Sequence, residues 1–346
     1  MHMADALLSP TAAAVMYAAS GLTAGASVHT LRKEEDDTKM LPVMAVSAAL
    51  VFAGQMINYT IPGTGSSGHL CGGMLLSAIL GPQAGFLSMI VILAIQCLFF
   101  ADGGLLALGA NVWNMAFYGC FVGYYLIWRP IMRSGRFTPR TRIVLASMLG
   151  CILTLQLGAF SVVLETTLSG ITELPLGAFA ALMQPIHLAI GAVEGLITSA
   201  VLLFLCQARP ELLRDLDARE GSGRFSLKTT VAVLAVLALV VGGGLSLAAS
   251  SNPDGLEWAL FGNRESGYSE NMALDEDDFG VTSAAADKAA AIQETTSFLP
   301  DYAFAGSDSA AGTSVSGIVG SAMVAGAAVL ICAAGGFFRR KKRAGN

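Results

Sequence analysis

QAGFLSMIVILAIQCLFFA, residues 83–101, holds no charged side chain from end to end. A helix of that length covers the ~30 Å hydrocarbon core of a bilayer at about 1.5 Å per residue. The rest of the chain follows suit: 54% of its 346 residues are hydrophobic and only 13% are charged, where soluble domains carry about 25% charge. Mean hydropathy is +0.63. Apolar stretches place further spans at roughly 9–31, 40–58, 69–80, 107–128, 141–164, 178–207, 228–250 and 314–338. The predicted fold class is therefore all-α, a polytopic membrane helical bundle. The stretch 69–80 is short and glycine-rich, which suits a partial span buried against its neighbours, and Gly81-Pro82 breaks it from the next. There is no internal repeat.

Basic residues orient the bundle. With the N-terminus outside, 18 of the 20 Lys and Arg residues fall on inside segments: Arg32 to Lys39, Arg129 to Arg142, Arg209 to Lys228, and the RRKKR tail, Arg339 to Arg343. Only Arg264 and Lys288 fall outside. The chain thus reads as a multi-pass protein with its C-terminus in the cytoplasm. No basic n-region or A-x-A-type site precedes the first span, so no cleaved leader is expected. After residue 208 the composition changes. A polar segment, 209–227, reads as a cytoplasmic linker between a unit at 1–208 and a second unit at 228–346. The outside loop of that second unit, 251–313, holds 12 acidic residues against two basic ones, a solvated spacer that could also concentrate cations by its field.

The same orientation brings together residues far apart in sequence. The chain begins Met1-His2, and His69 stands at the end of the outside loop 59–68, within the glycine-rich stretch GTGSSGHLCGG, 63–73. The Met1 amine, the His2 amide nitrogen and the His2 imidazole can grip one metal in fused chelate rings, leaving a corner of the square plane for the His69 imidazole. Amine, amidate and imidazole donors suit Ni(II), Cu(II) or Co(II), and binding drives off the competing protons. Ser66 and Ser67 stand ready to hold the ring or a water. Asp102 lies in an outside turn, and Asn111 and Asn114 share a face of the fifth span, either lining an ion route or bonding between helices. His187 and Glu194, seven residues apart, share a face of the seventh; a carboxylate inside a bilayer needs a partner, and His187 is the expected one, directly or through water, the alternative being a coupling or ion-path role for the pair. The six cysteines form no CxxC pair and read as small packing residues. No Walker motif, nucleophile–base array or HExxH is present, so neither ATP hydrolysis nor another catalytic activity is expected of this chain.

Together the N-terminal Met-His, GTGSSGHLCGG, DGGLLALGANVWNM (102–115) and HLAIGAVEG (187–195) resemble the CbiM/NikM family over residues 1–208. These are the substrate-specific membrane components of energy-coupling factor (ECF) transporters for cobalt and nickel. SSNPDGLEWAL (250–260) and FLPDYAF (298–304) resemble the family's small N-type partner, fused in line. The resemblance implies a seven-helix metal-binding component plus two C-terminal transmembrane helices whose outside loop aids loading. It implies Ni(2+) or Co(2+) as transported substrate on Met1, His2 and His69, with no organic cofactor. It implies a prokaryotic cell membrane, and as partners a transmembrane coupling protein and cytoplasmic ATPases, with no nucleic acid. Two other readings compete with it: a non-transporting membrane metal sensor or scaffold, and a vitamin-binding relative. The second would want a larger apolar or aromatic pocket than a chain with three tryptophans offers.

Overall fold

The computed structural model describes residues 1–33, 40–171, 173–217, 223–263, 268–269, 274, 279–304, 306 and 309–344, with the backbone alone for 268–269 and 332–344. Lys39, Arg219, Arg264 and the acidic residues 275–278 lie outside the described residues, as do the side chains of the 339–343 basic run. Six helical stretches among the described residues are long and apolar enough to cross a membrane. They are α1 (Pro10–Leu31), α4 (Pro82–Phe100), α7 (Pro139–Leu168), α8 (Leu176–Ala208), α9 (Leu227–Gly243) with its following 3-10 turn, and the first part of α12 (Ala310–Ala344). Helix α2 (Met40–Gln55) is shorter but apolar, and α5 (Leu108–Val112) runs on through a π-type stretch (Trp113–Trp128) into α6 (Arg129–Arg133). Their starts are written locally: Ser9, Thr138 and Ser226 each cap an N-terminus with a side-chain oxygen, and Pro10 and Pro139 follow at the first helical position. The chain is a multi-pass membrane protein.

One expected span differs. Residues 69–80 do not form a crossing helix; α3 (Gly73–Leu80) has 8 residues and rises only about 12 Å. Before it the chain dips into the bundle as a short antiparallel hairpin, β1 (Tyr59–Ile61) with β2 (Ser66–Gly68), Thr60 opposite Ser67. Irregular backbone at such depth survives only if its polar groups are paired within the protein. Glu194 on α8 does this: its two carboxylate oxygens accept the N–H groups of Cys71 and Gly72, each at 2.9 Å. At the other end of α3, the Arg214 N–H donates to the Ala78 carbonyl at 2.8 Å and its guanidinium to Leu80 at 2.9 Å. The polar stretch after α8 is therefore folded against the bundle in its first half, with Leu212, Leu213 and Leu216 buried. Asp215 there meets Tyr124 at 2.7 Å and also pairs with Arg133.

The expected pairing of His187 with Glu194 is not made. Glu194 is taken by the α3 N-terminus, and His187 Nδ1 bonds the Met183 carbonyl of its own helix at 2.8 Å. Seven residues put both side chains on one face of α8 but two turns apart, and a nearer partner won at each. Helices α9 and α12 lie along α2, with Ser314 Oγ donating to the Gly243 carbonyl at 2.6 Å. Between them α10 (Gly255–Phe261), the small strand pair β3 (Gly262–Asn263) and β4 (Tyr268–Ser269), and α11 (Ala284–Thr296) lie at the end of the bundle where the N-terminus enters.

Because Glu194 satisfies two buried N–H groups, Glu194→Ala should cost about 1–3 kcal/mol for each one orphaned, and Glu194→Gln less. Thermal unfolding in detergent should rank the native chain above Gln above Ala. Equal melting of all three would contradict this role.

Candidate metal centre

The first eight residues are a buried plug, not a loose tail. Met3, Leu7 and Leu8 are almost fully enclosed, and Met1 is 4% exposed. The plug is held along its backbone. Asn111 accepts the Met3 N–H at 2.7 Å and donates to the Met3 carbonyl at 3.2 Å, so one side chain grips both faces of one residue. Gly104 N–H donates to the same carbonyl at 2.9 Å, and Asp5 accepts the Ala107 N–H at 3.0 Å. A side chain on Gly104 would strike Asp5, which is why the turn after Asp102 runs through glycine. Asn114 completes the clamp: its amide donates to Glu165 at 2.8 Å and contacts Met3 Sδ at 3.5 Å, while its own carbonyl oxygen is buried without a partner.

This anchoring carries the N-terminal nitrogen to His69. The Met1 nitrogen lies 3.2 Å from His69 Nε2, close to the ~2.8 Å between neighbouring corners of a square plane with bonds of about 2.0 Å. His69 Nδ1 bonds the Leu70 carbonyl at 2.9 Å. That contact fixes the ring and leaves Nε2 as the lone-pair nitrogen, as the outer partner of a metal-bound histidine does. Burial, the N-terminal charge and His2 together push His69 down to about 3, so the ring is neutral and ready to ligate.

The His2 ring stacks on His69 with centroids 5.2 Å apart. Its Nδ1 faces Asp102 at 3.0 Å, and its Nε2 is buried without a hydrogen bond. Burial lowers its pKa as well. The structure thus brings the amine and His69 to ligand spacing, while the His2 ring must swing from Asp102 to close a chelate. Ser66 and Ser67 do not reach the ring. Ser67 N–H and Oγ bind the carbonyls of Pro253 and Asn252, and Ser66 Oγ bonds the Ser67 carbonyl. His187 lines a small cavity with Met1, His69, Cys71 and Asp254, and its Nε2 is unpartnered.

Residues that sequence reasoning left without a role come from the second half of the chain. Asp254 accepts from the Met1 nitrogen at 2.7 Å and stands 3.8 Å from His69 Nε2. Burial opposes ionisation of both groups, yet their attraction holds the amine above its ordinary pKa and the carboxyl below its own. Asp254 and Glu257 form a capping box at the start of α10, a D-x-x-E signal legible in sequence, though not where the second carboxylate oxygen would point. Gly255 is pressed on His187 and Ile190 so closely that a side chain would need these neighbours to give way by a few tenths of an ångström. Tyr302 donates to Asp102 at 2.5 Å and so braces the residue behind His2. Among the described residues no three His, Cys, Asp or Glu side chains are placed to hold a metal ion, so a site here depends on the N-terminal nitrogen.

Comparison with known proteins agrees with this architecture. The family described as CbiM, cobalt uptake substrate-specific transmembrane region, matches residues 2–212. The chain belongs to the CbiM family. A PDGLE domain matches residues 228–335. Relatives include a fused nickel transport protein NikMN of Archaeoglobus fulgidus, 34% identical over 94% of this chain and 95% of that one. A cobalt transport protein CbiM of Sorangium cellulosum is 32% identical over 63% of this chain and 96% of its own. A crystal structure of a truncated transition metal transporter is similar at 36% identity and TM-score 0.52, covering 59% of this chain and 98% of that one. Family and fold together make this a member of the cobalt and nickel transport proteins.

Asn111 holds the Met3 backbone, two residues from the candidate amine donor. Asn111→Leu should weaken Ni(II) binding by about tenfold to a hundredfold, the worth of the lost hydrogen bonds at 1.4 kcal/mol per decade. Equilibrium dialysis against the purified protein measures it; unchanged affinity would remove Asn111 from this role.

Proposed function

We propose that the chain is the substrate-capture component of an ECF-type importer for nickel or cobalt ions. The metal is held by the Met1 amine, the His2 amide and imidazole nitrogens, and the His69 imidazole. The observation that carries this reading is the buried Met1 nitrogen 3.2 Å from a His69 ring whose other nitrogen is already committed. A buried chain terminus is costly unless it has a task, and amine plus neutral imidazole is a donor pair for late first-row metals. The charge distribution supports an outward-facing site.

Capture at the outer face is followed by release inside, when a transmembrane coupling protein driven by cytoplasmic ATPases reorients the binding unit. The chain itself is non-catalytic. Residues 1–208 form the binding unit, 209–227 connect it, and 228–346 serve loading, their loop reaching the site through Asp254 and Tyr302. Asp102, Asn111 and Asn114 act behind the ligands, on His2, on the Met3 backbone and on the Met3 sulfur respectively.

An N-terminal extension removes the free amine without deleting any side chain. It should abolish high-affinity Ni(II) and Co(II) binding, and His69→Ala should lower affinity by at least about a hundredfold. Uptake of labelled metal by cells carrying the full transporter should fall in parallel. Native affinity in the extended protein would overturn the site. Loss of binding with uptake unchanged would instead favour a sensor.

A further inference from the structure

We propose that Asp254 is a metal ligand of the loading step, receiving the cation together with the Met1 amine and His69 before His2 closes the chelate. The inference rests on the nitrogen site proposed above and assigns to the PDG turn a direct bond to the metal.

The geometry is that of a coordination face. Asp254 Oδ2, the Met1 nitrogen and His69 Nε2 form a triangle with sides 2.7, 3.2 and 3.8 Å. The point equidistant from all three lies about 1.9 Å from each, close to the ~2.0–2.2 Å bonds of first-row metals to nitrogen and oxygen. A cation placed there would meet three donors with little movement. His2 is absent from this set, because its Nδ1 is turned to Asp102. The conformation thus offers two nitrogens and one oxygen where the finished site offers four nitrogens.

Asp254 is built to present that oxygen. Its Oδ1 accepts the N–H groups of Leu256 at 2.7 Å and Glu257 at 3.0 Å, capping α10. With one oxygen committed to the helix, only Oδ2 faces the amine. The turn is fixed from outside the site as well: Ser67 binds the Asn252 and Pro253 carbonyls, Asn263 reaches the Gly65 carbonyl at 2.7 Å, and Gly255 lies flat on α8. A mere counter-ion for the ammonium would need neither the second nitrogen within 3.8 Å nor so rigid a mount.

The chemistry suits a hand-over. A hydrated divalent cation arrives with oxygen ligands, and a carboxylate replaces one of its waters like for like. The cation takes the place of the ammonium proton, which leaves on a water displaced from the cation, so the Asp254 charge is matched before and after. His2 then leaves Asp102, takes the tautomer protonated at Nε2 and gives its amide proton to a second displaced water; its amide and imidazole nitrogens displace the carboxylate oxygen, and the softer nitrogen set retains the metal.

Stopped-flow loading of Ni(II) into the purified full-length chain separates this role from a counter-ion. Asp254→Asn keeps the helix cap, since asparagine caps as well as aspartate, and a matching melting curve checks the fold. Loading should slow by at least about tenfold, with the final absorption spectrum of the nitrogen site unchanged, and Asp254→Glu should recover part of the rate. Loading by Asp254→Asn as fast as the native chain, or faster because a competitor for the amine has gone, would overturn the proposal. His69→Ala serves as a separate arm: if it keeps the native Ni(II) spectrum, the nitrogen site itself falls, whatever the rate of Asp254→Asn.

Discussion

Burial of the N-terminal nitrogen beside His69 is the constraint around which the rest of the bundle is arranged. A charged terminus does not enter a helical bundle unless something compensates it. Here the compensation is built from distant parts of the chain: Asp254 supplies the charge, Asn111 the backbone clamp, and the hairpin before α3 the histidine. Each of these in turn requires support. The hairpin must leave its backbone unpaired at depth unless Glu194 receives the Cys71 and Gly72 N–H groups. The short α3 helix that follows needs Arg214 at its other end. A line of dependence therefore runs from the His69 loop through α3 to the segment after α8.

The fused second unit changes what the site is. In the binding unit alone, the amine and His69 would face one another with no counter-charge among the hairpin residues. The PDG turn places a carboxylate beside them, and Tyr302 holds Asp102 behind His2. The amine and His69 are thus met by a residue 253 and 185 positions away in sequence. Fusion keeps this contact intramolecular, so the PDG turn is present at a high effective concentration.

Much of this was legible in the sequence, for physical reasons that also mark where it stopped. Uncharged stretches such as 83–101 and 141–164 specify spans because the bilayer imposes their length. Met1, His2 and His69 could be grouped because basic residues fix which loops share a face. What could not be read was which partner each polar side chain would take. Glu194 and His187 share a helical face, but tertiary contacts gave the carboxylate to the α3 N-terminus. Ser67 sits two residues from His69, yet its N–H and hydroxyl are taken by the Pro253 and Asn252 carbonyls of the second unit. The Asp254-x-x-Glu257 spacing is that of a capping box, but the free oxygen of Asp254 acquires meaning only when the second unit docks on the first. The third span read too long because apolar composition does not distinguish a crossing helix from a buried loop followed by two turns of helix.

The central claim, a metal site made of nitrogen donors that includes the chain's own amine, is tested most directly by X-ray absorption at the nickel edge of the loaded protein. The account predicts a single shell of light donors at a square-planar distance with outer scattering from two imidazole rings. A sulfur shell, from Cys71 or a neighbouring methionine, would contradict it.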